Sequence, residues 1–325
     1  MRKLMLATVG SILFAFAAPA GESITLRLGY ETPRSDSQHL GAQRMAKALE
    51  EKTGGRLKLQ LFPDAVLGNS QGMITQVRAG TVDMYMGGSA IFTGVEPRLN
   101  VLDIPFLFHN PRHVDDALDA EVGEEMLKTL EAVDMKGLAY WENGFRSVTN
   151  GRNPVNKPED VKGLKIRTLA NPMHIEAWRL LGTNPVPMPI SELYTALETG
   201  AVEAQEHPVN VTYSAKLYEV QKYLSMTRHA YSPLIISINL KKFESLDGDL
   251  RDALVETARE AGKWQRKYVR DNEKMFVDKM AEEGIEVVWE VDMQPFRDIV
   301  EKDVRKLYTD QYGDDWLKKI DAHAK

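Results

Sequence analysis

The chain has 325 residues, a formal net charge of −6, 43% hydrophobic and 27% charged residues, and no Cys. At about 150 residues per domain this is a two-domain length with ample apolar content, which excludes a disordered, collagen-like or low-complexity chain. The acidic balance argues against a nucleic-acid partner, and the missing Cys excludes disulfides, thiolate metal sites, a thiol nucleophile and a lipid-bearing cysteine.

At the start, Arg2 and Lys3 precede the apolar stretch Leu4 to Ala18, which ends in Ala18-Pro19-Ala20. This reads as an export signal over residues 1–20, cleaved after Ala20. A permanent anchor helix is the alternative, but the stretch is short for a membrane span. The expected location is the periplasm of a Gram-negative cell, with no permanent membrane anchor.

Ile24 to Tyr30 alternates apolar and polar residues and predicts a strand. Ser35 and Asp36 are N-cap candidates for a helix carrying Leu40, Ala42, Met45, Ala46 and Leu49, stopped by Gly54-Gly55. Leu57 to Phe62 alternates again, so the unit is strand–helix–strand with parallel strands. Asn69 caps a second helix ended by Gly80, and Val82 to Met86 is the next strand. Asn110-Pro111 opens a helix expected to run to about Val133.

A second block repeats the pattern. Lys157 to Asp160 opens a short turn, Gly163 to Arg167 leads into a strand, and Pro172 begins a helix to Leu181. Ser191 caps a helix ended by Gly200, and Val202 to Glu206 is a strand stopped at Pro208. From Asp249 to Glu283 a single helix of about 53 Å is expected, with Leu254, Ala261, Trp264, Tyr268, Met275 and Met280 as its buried stripe. A helix that long spans two units, so the pattern predicts two α/β lobes with a cleft between them.

No dinucleotide, P-loop, zincin or nucleophile-elbow motif is present. His109 and His113 are four apart, but Pro111 between them removes a shared helical face. Three segments stand out: Asn143-Gly-Phe-Arg146, Gly163 to Arg167 running on to Asn171-Pro172, and Gln205-Glu206-His207-Pro208. Arg167 ends a predicted strand, where α/β folds hold their ligands; a surface ion pair is the plain alternative.

Together with Glu51 to Arg56, Phe62-Pro63, Leu67-Gly68, Ala79 to Met84, Leu181-Gly182 with Pro185, Pro187-Met188, Ser191 to Tyr194 and Tyr218 to Tyr223, these segments give the chain a family resemblance. It resembles the solute-binding proteins of tripartite ATP-independent periplasmic (TRAP) transporters, of the dicarboxylate-binding (DctP) type, over nearly all of the mature chain. The resemblance implies an α/β, two-lobed periplasmic binding protein fold with a hinge and a long bridging C-terminal helix. It places residues 21–143 plus 233–272 in lobe I and residues 144–232 plus 273–325 in lobe II. The hinge strands are expected near Glu142 to Gly144 and Tyr231 to Pro233.

By the same resemblance the receptor hands an organic acid to a membrane permease, with no catalytic residue, cofactor or metal. Arg167 matches the arginine that pairs with the ligand carboxylate, a role suited to a guanidinium fork. Arg146 matches a second ligand-facing arginine, and Asn171 and His207 match polar ligand-contacting positions. Glu206 is expected either to accept sugar hydroxyls or to orient Arg146 or Arg167. His39 is a ligand donor or a solvated residue at a helix start, and Asn210 is a further candidate contact. Tyr231 is expected to line the core, its hydroxyl being the lesser reading as a contact, and Trp141 and Phe145 are expected to pack around the hinge.

Gly88 and His207 depart from the acidic residue and the Asn of sialate binders, and Ile190 from a stacking aromatic. The mixed donors and acceptors favour a sugar acid such as glucuronate, galacturonate or a keto-sugar acid. The alternative is a C4-dicarboxylate (malate, succinate or fumarate). A secreted hydrolase or lyase would need a paired acid and base, and Glu206 and His207, adjacent on a strand, point to opposite faces.

Overall fold

A computed structural model describes residues 23–324, so the expected export signal lies outside the described residues. Nine strands are found among them: β1 (Ile24–Gly29), β2 (Leu57–Phe62), β3 (Met84–Gly88), β4 (Met135–Asn150), β5 (Lys165–Thr168), β6 (Asn184–Pro187), β7 (Ala204–Pro208), β8 (Tyr223–Asn239) and β9 (Glu286–Val288). They form one sheet in the order β2-β1-β3-β8-β4-β7-β5-β6, with β9 beside β8. No described helix is long and apolar enough to cross a membrane.

Local chemistry sets most of the boundaries. Asp36 caps the helix Ser37–Lys52 by accepting from the Gln38 N–H, and Asn69 caps Ser70–Ala79 by accepting from the Gly72 N–H. The strand–helix–strand reading holds, since β1 pairs with β2 in parallel. The helix expected from Pro111 to Val133 is broken. It becomes Pro111–Leu118, Glu121–Thr129 and a 3₁₀ turn, Leu130–Val133, because Ala120 is extended. Gly123 then lies so near the Leu118 carbonyl that a Cβ would stand 2.0 Å from its oxygen.

β1, β2 and β3 run parallel on one side of the sheet, and β5, β6 and β7 run parallel on the other. β4 and β8 are antiparallel partners long enough to cross both. Each half is therefore a lobe, and the two long strands are the hinge. Their register slips where Glu142 faces Pro233 and Gly144 faces Ser232, which leaves Asn143 as an extra residue. Gly144 has φ +122°, a conformation that side-chain-bearing residues resist. Glu142 is pinned there by Arg270 Nε at 2.7 Å, and Arg270 also donates to Asp115 at 2.6 Å. Burial pushes the Glu142 carboxyl up to about 7, against the pull of Arg270.

The long helix, Gly248–Glu282, bridges the lobes. Its first half packs Leu250, Leu254 and Ala258 against Met45 and Leu49; its last turns pack Phe276, Val277 and Met280 against Val209 and Leu224. The buried stripe is rotated from the expected one. Leu254, Ala261 and Met280 are buried, whereas Trp264, Tyr268 and Met275 are only half-buried and Gln265 and Arg266 take inner positions. Gln265 accepts from the Glu142 N–H at 2.9 Å and donates to the Glu142 carbonyl at 2.7 Å, and Arg266 pairs with Asp115 and Asp119. Polar bonds to the hinge thus outrank hydrophobicity on this face. The last helices, Gln294–Tyr312 and Asp315–Asp321, reach back to the early chain: Tyr308 donates to the Arg98 carbonyl, and His113 Nε2 lies 2.9 Å from the Ile320 carbonyl oxygen.

Trp141 of β4 packs between the sheet and the helices Ser37–Lys52 and Gly248–Glu282. It is fully buried and donates to the Ala258 carbonyl at 2.8 Å. A Cβ on Gly41 would stand 2.5 Å from its ring, and one on Gly262 would stand 2.6 Å from it. Gly→Ala inside an exposed helix normally stabilises by about 1 kcal/mol. Here Gly262→Ala is expected to destabilise by about 1–3 kcal/mol through overpacking, and Trp141→Ala by about 3–5 kcal/mol through the cavity it leaves. Urea unfolding of the two variants checks this, and a stabilised Gly262→Ala protein contradicts that close packing.

Candidate ligand-binding site

Parallel strands present their C-terminal ends to a common cleft. Here β1, β3, β5, β6 and β7 converge on a cavity of about 380 Å³, and β4 and β8 form its floor at the hinge. Glu31 and Thr32 follow β1, Gly87 and Gly88 end β3, Met188 to Ile190 follow β6, and Ser232 and Leu234 come from β8. Arg167, Arg146 and His207 line the same cavity.

Arg167 is 1% exposed. Its Nε donates to the Met188 carbonyl at 2.9 Å, and Nη1 lies 3.2 Å from His207 Nε2. A guanidinium only donates, so His207 Nε2 accepts and its Nδ1–H donates to Gln205 Oε1 at 2.5 Å. His207 is neutral, because burial and then the charges of Arg146 and Arg167 hold its pKa well below 6.5. Burial and Arg146 lower Arg167 to about 10, which leaves it cationic at neutral pH. Neither of its bonds uses Nη2.

Arg146 is also fully buried and is clamped by Glu206. Nε and Nη2 each donate to one carboxylate oxygen of Glu206, and Nη2 also donates to its backbone carbonyl. Nη1 is buried with no partner among the described residues. Burial alone would raise the Glu206 carboxyl, but Arg146, His174 and His229 hold it well below 4.5 as an anion.

The structure places four expected ligand contacts away from the cavity wall. Glu206 points behind β7, where it orients Arg146, as the second reading of that residue allowed. Asn171 is the N-cap of the helix Pro172–Leu180; its Oδ1 accepts from the Met173 and His174 N–H groups and its Nδ2 donates to Asn100 at 2.8 Å. The preference of Asn for an N-cap accounts for it fully. His39 is buried against Tyr30, with Nδ1 2.5 Å from the phenol oxygen. Asn210 donates to Ser37 Oγ at 3.4 Å and turns to a second cavity, of about 660 Å³, behind the hinge strands.

Three cavity residues escaped the sequence reading. Glu31 accepts from Ser70 Oγ through Oε2, while its Oε1, Thr32 Oγ1 and Ser232 Oγ are buried without partners among the described residues. Burial raises the Glu31 carboxyl, against the bond from Ser70 and the charge of Arg167. The available signal was position: an acid and a hydroxyl directly after the first predicted strand occupy the ligand end of that strand.

Residues 28–311 match the family model DctP, described as bacterial extracellular solute-binding protein, family 7. The 2,3-diketo-L-gulonate-binding periplasmic protein YiaO of Escherichia coli is 49% identical, with 95% of each chain covered. A TRAP periplasmic solute-binding protein of Polaromonas, solved bound to D-erythronate, superposes with a TM-score of 0.89 at 34% identity, over 93% of this chain and 99% of that one. Another from Roseobacter denitrificans, with bound β-D-glucuronate, gives 0.88 at 29% identity, over 92% and 99%. These relatives bind solutes for transport and are not enzymes, which sets aside the hydrolase or lyase alternative. The chain belongs to the family 7 extracellular solute-binding proteins, the receptors that serve TRAP membrane permeases with small organic acids.

Proposed function

We propose that this receptor captures a sugar acid in the periplasm, with 2,3-diketo-L-gulonate the first candidate, and that export removes residues 1–20. The observation that carries the ligand reading is the division of the cavity into two polar faces. One face offers Arg167 Nη2 and the orphaned Nη1 of Arg146; the other offers the orphaned Glu31 Oε1 and the hydroxyls of Thr32 and Ser232. A carboxylate fits the first face and hydroxyls fit the second. A C4-dicarboxylate would set its second carboxylate against Glu31, since Arg146 is already engaged by Glu206. The E. coli relative's name supports an open-chain keto-sugar acid, and the Roseobacter structure supports glucuronate within the same class.

Replacing Arg167 tests the carboxylate face. Arg167→Ala is expected to lose roughly 3–5 kcal/mol of binding, about two to four decades, and Arg167→Lys nearly as much, because lysine lacks the fork. Titration calorimetry reads both, and near-wild-type affinity in Arg167→Lys contradicts a guanidinium clamp.

The hydroxyl face is tested with a panel of 2,3-diketo-L-gulonate, glucuronate, galacturonate, malate and succinate. A sugar acid is expected to bind at least about a hundredfold more tightly than succinate, whose binding leaves the polar wall unpaired. Glu31→Gln removes the charge that repels a second carboxylate and should narrow that ratio. Equal affinity for succinate and the best sugar acid replaces this reading with the dicarboxylate one. The export reading has its own check. The intact mass of protein recovered from the periplasm should lack residues 1–20, and a membrane-bound product of full mass overturns it.

A further inference from the structure

Behind Arg146 lies a charged group to which neither the comparisons nor the proposed ligand contacts give a role. The helix Pro172–Leu180 carries His174, 2% exposed, between two carboxylates. Nε2 stands 3.3 Å from Asp103 Oδ1, and Nδ1 stands 3.7 Å from Glu206 Oε1. An ionised carboxylate only accepts hydrogen bonds, and a neutral imidazole has one N–H. Nε2 is within hydrogen-bond reach of Asp103 and Nδ1 faces Glu206 at ion-pair distance, so the imidazolium, with a proton on each nitrogen, is the state that both anions favour. Asp103 belongs to the chain before the hinge strand β4, and Glu206 to β7 after it, so this ring joins the two lobes. The other Asp103 oxygen accepts from Ser89 Oγ at 3.0 Å, beside the cavity residue Gly88.

We propose that His174 is a positioning residue that works as a buried imidazolium, tying Asp103 to Glu206 so that Glu206 holds Arg146 toward the ligand carboxylate. With His174 charged, the wall behind the ligand holds the cations Arg146, Arg167 and His174 against the anions Asp103 and Glu206. The single positive excess matches one ligand carboxylate. Loss of the His174 proton removes that excess and slackens the Glu206 bracket together. This rests on the reading that Arg146 and Arg167 receive the carboxylate.

The groups facing His174 are Asp103 from the segment before β4, Arg146 from β4, Glu206 and His207 from β7 and His229 from β8. His207 and His229 are both held below the ordinary imidazole value by burial first, His207 well below it. For His174 burial works against the cation, but the bonds to Asp103 and Glu206 outweigh it and the net direction is up. A raised value keeps the charge fully present at the ordinary imidazole value of about 6.5 and removes it only as pH climbs through the raised value, so ligand binding weakens on the alkaline side.

Nitrogen-15 NMR of the imidazole rings, assigned by the signals missing from His174→Gln, reads the ring directly. Both His174 nitrogens are expected to carry protons at pH 7. Calorimetry with 2,3-diketo-L-gulonate between pH 6 and 8.5 should show wild-type affinity falling about tenfold, the equivalent of one lost charge contact. His174→Gln should bind weakly with no such slope. Asp103→Asn, which removes the demand for the second N–H, should move the fall to lower pH. A neutral ring at pH 7, or an unchanged slope in His174→Gln, overturns the proposal. The ring's charge is read without ligand and on the unmodified protein, so failure of the sugar acid to bind counts only against the ligand reading.

Discussion

The whole architecture answers to a guanidinium taken out of water. Burying a full charge is costly unless other groups complete it, and the backbone carbonyl of Met188 and the neutral imidazole of His207 complete only part of Arg167. The remaining edge points into the cleft. On the proposed reading a ligand carboxylate finishes the coordination, so affinity comes from repairing a defect that the fold maintains. The second arginine shows the contrast. Arg146 lies as deep, yet Glu206 neutralises it with a two-pronged bond, and what it offers the cleft is a donor and no net charge. Two buried arginines are therefore completed differently, one by neutral groups and the other by a carboxylate.

Maintaining that defect takes a rigid surround. β5 and β7 carry Arg167 and His207 as sheet neighbours, with Arg167 in register with Gln205, whose side chain fixes the His207 tautomer. β4 carries Arg146 opposite Pro208 at the end of β7. The opposing groups come from the end of β1, in the other lobe, and from the hinge strand β8. On the proposed reading neither lobe alone presents both a carboxylate receptor and a hydroxyl receptor, so recognition of a hydroxy acid requires the two to meet.

Much of this was legible in the sequence wherever a local rule decided the outcome. Asp36, Asn69 and Pro172 mark helix starts by capping and ring chemistry, and Leu57 to Phe62 alternates because one strand face is buried. Arg167, Arg146 and His207 came from strand-end position and family resemblance, and all three line the cavity. What was not legible was set by tertiary neighbours. Asn171 reads equally as a ligand amide or a cap until Met173 and His174 are seen donating to it. Gln265 and Arg266 break the apolar stripe because the hinge and the end of the Pro111–Leu118 helix supply partners that no periodicity encodes. His174 lies 71 residues beyond Asp103, and nothing in either segment announces the other.

The two long crossing strands also govern how the chain reaches its native state. Met84 of β3 pairs with Ile238 of β8, and Met135 of β4 pairs with Asn239. The first lobe thus lacks a central strand until the last third of the chain exists, and the helix that covers Met45 and Leu49 follows later still. Contacts so distant in sequence make folding slow, since long loops must close before any pairing rewards them. A chain of this topology stays open while it is being synthesised. Completion of the first lobe therefore waits on the strand that also completes the second, so the two lobes reach their native state together.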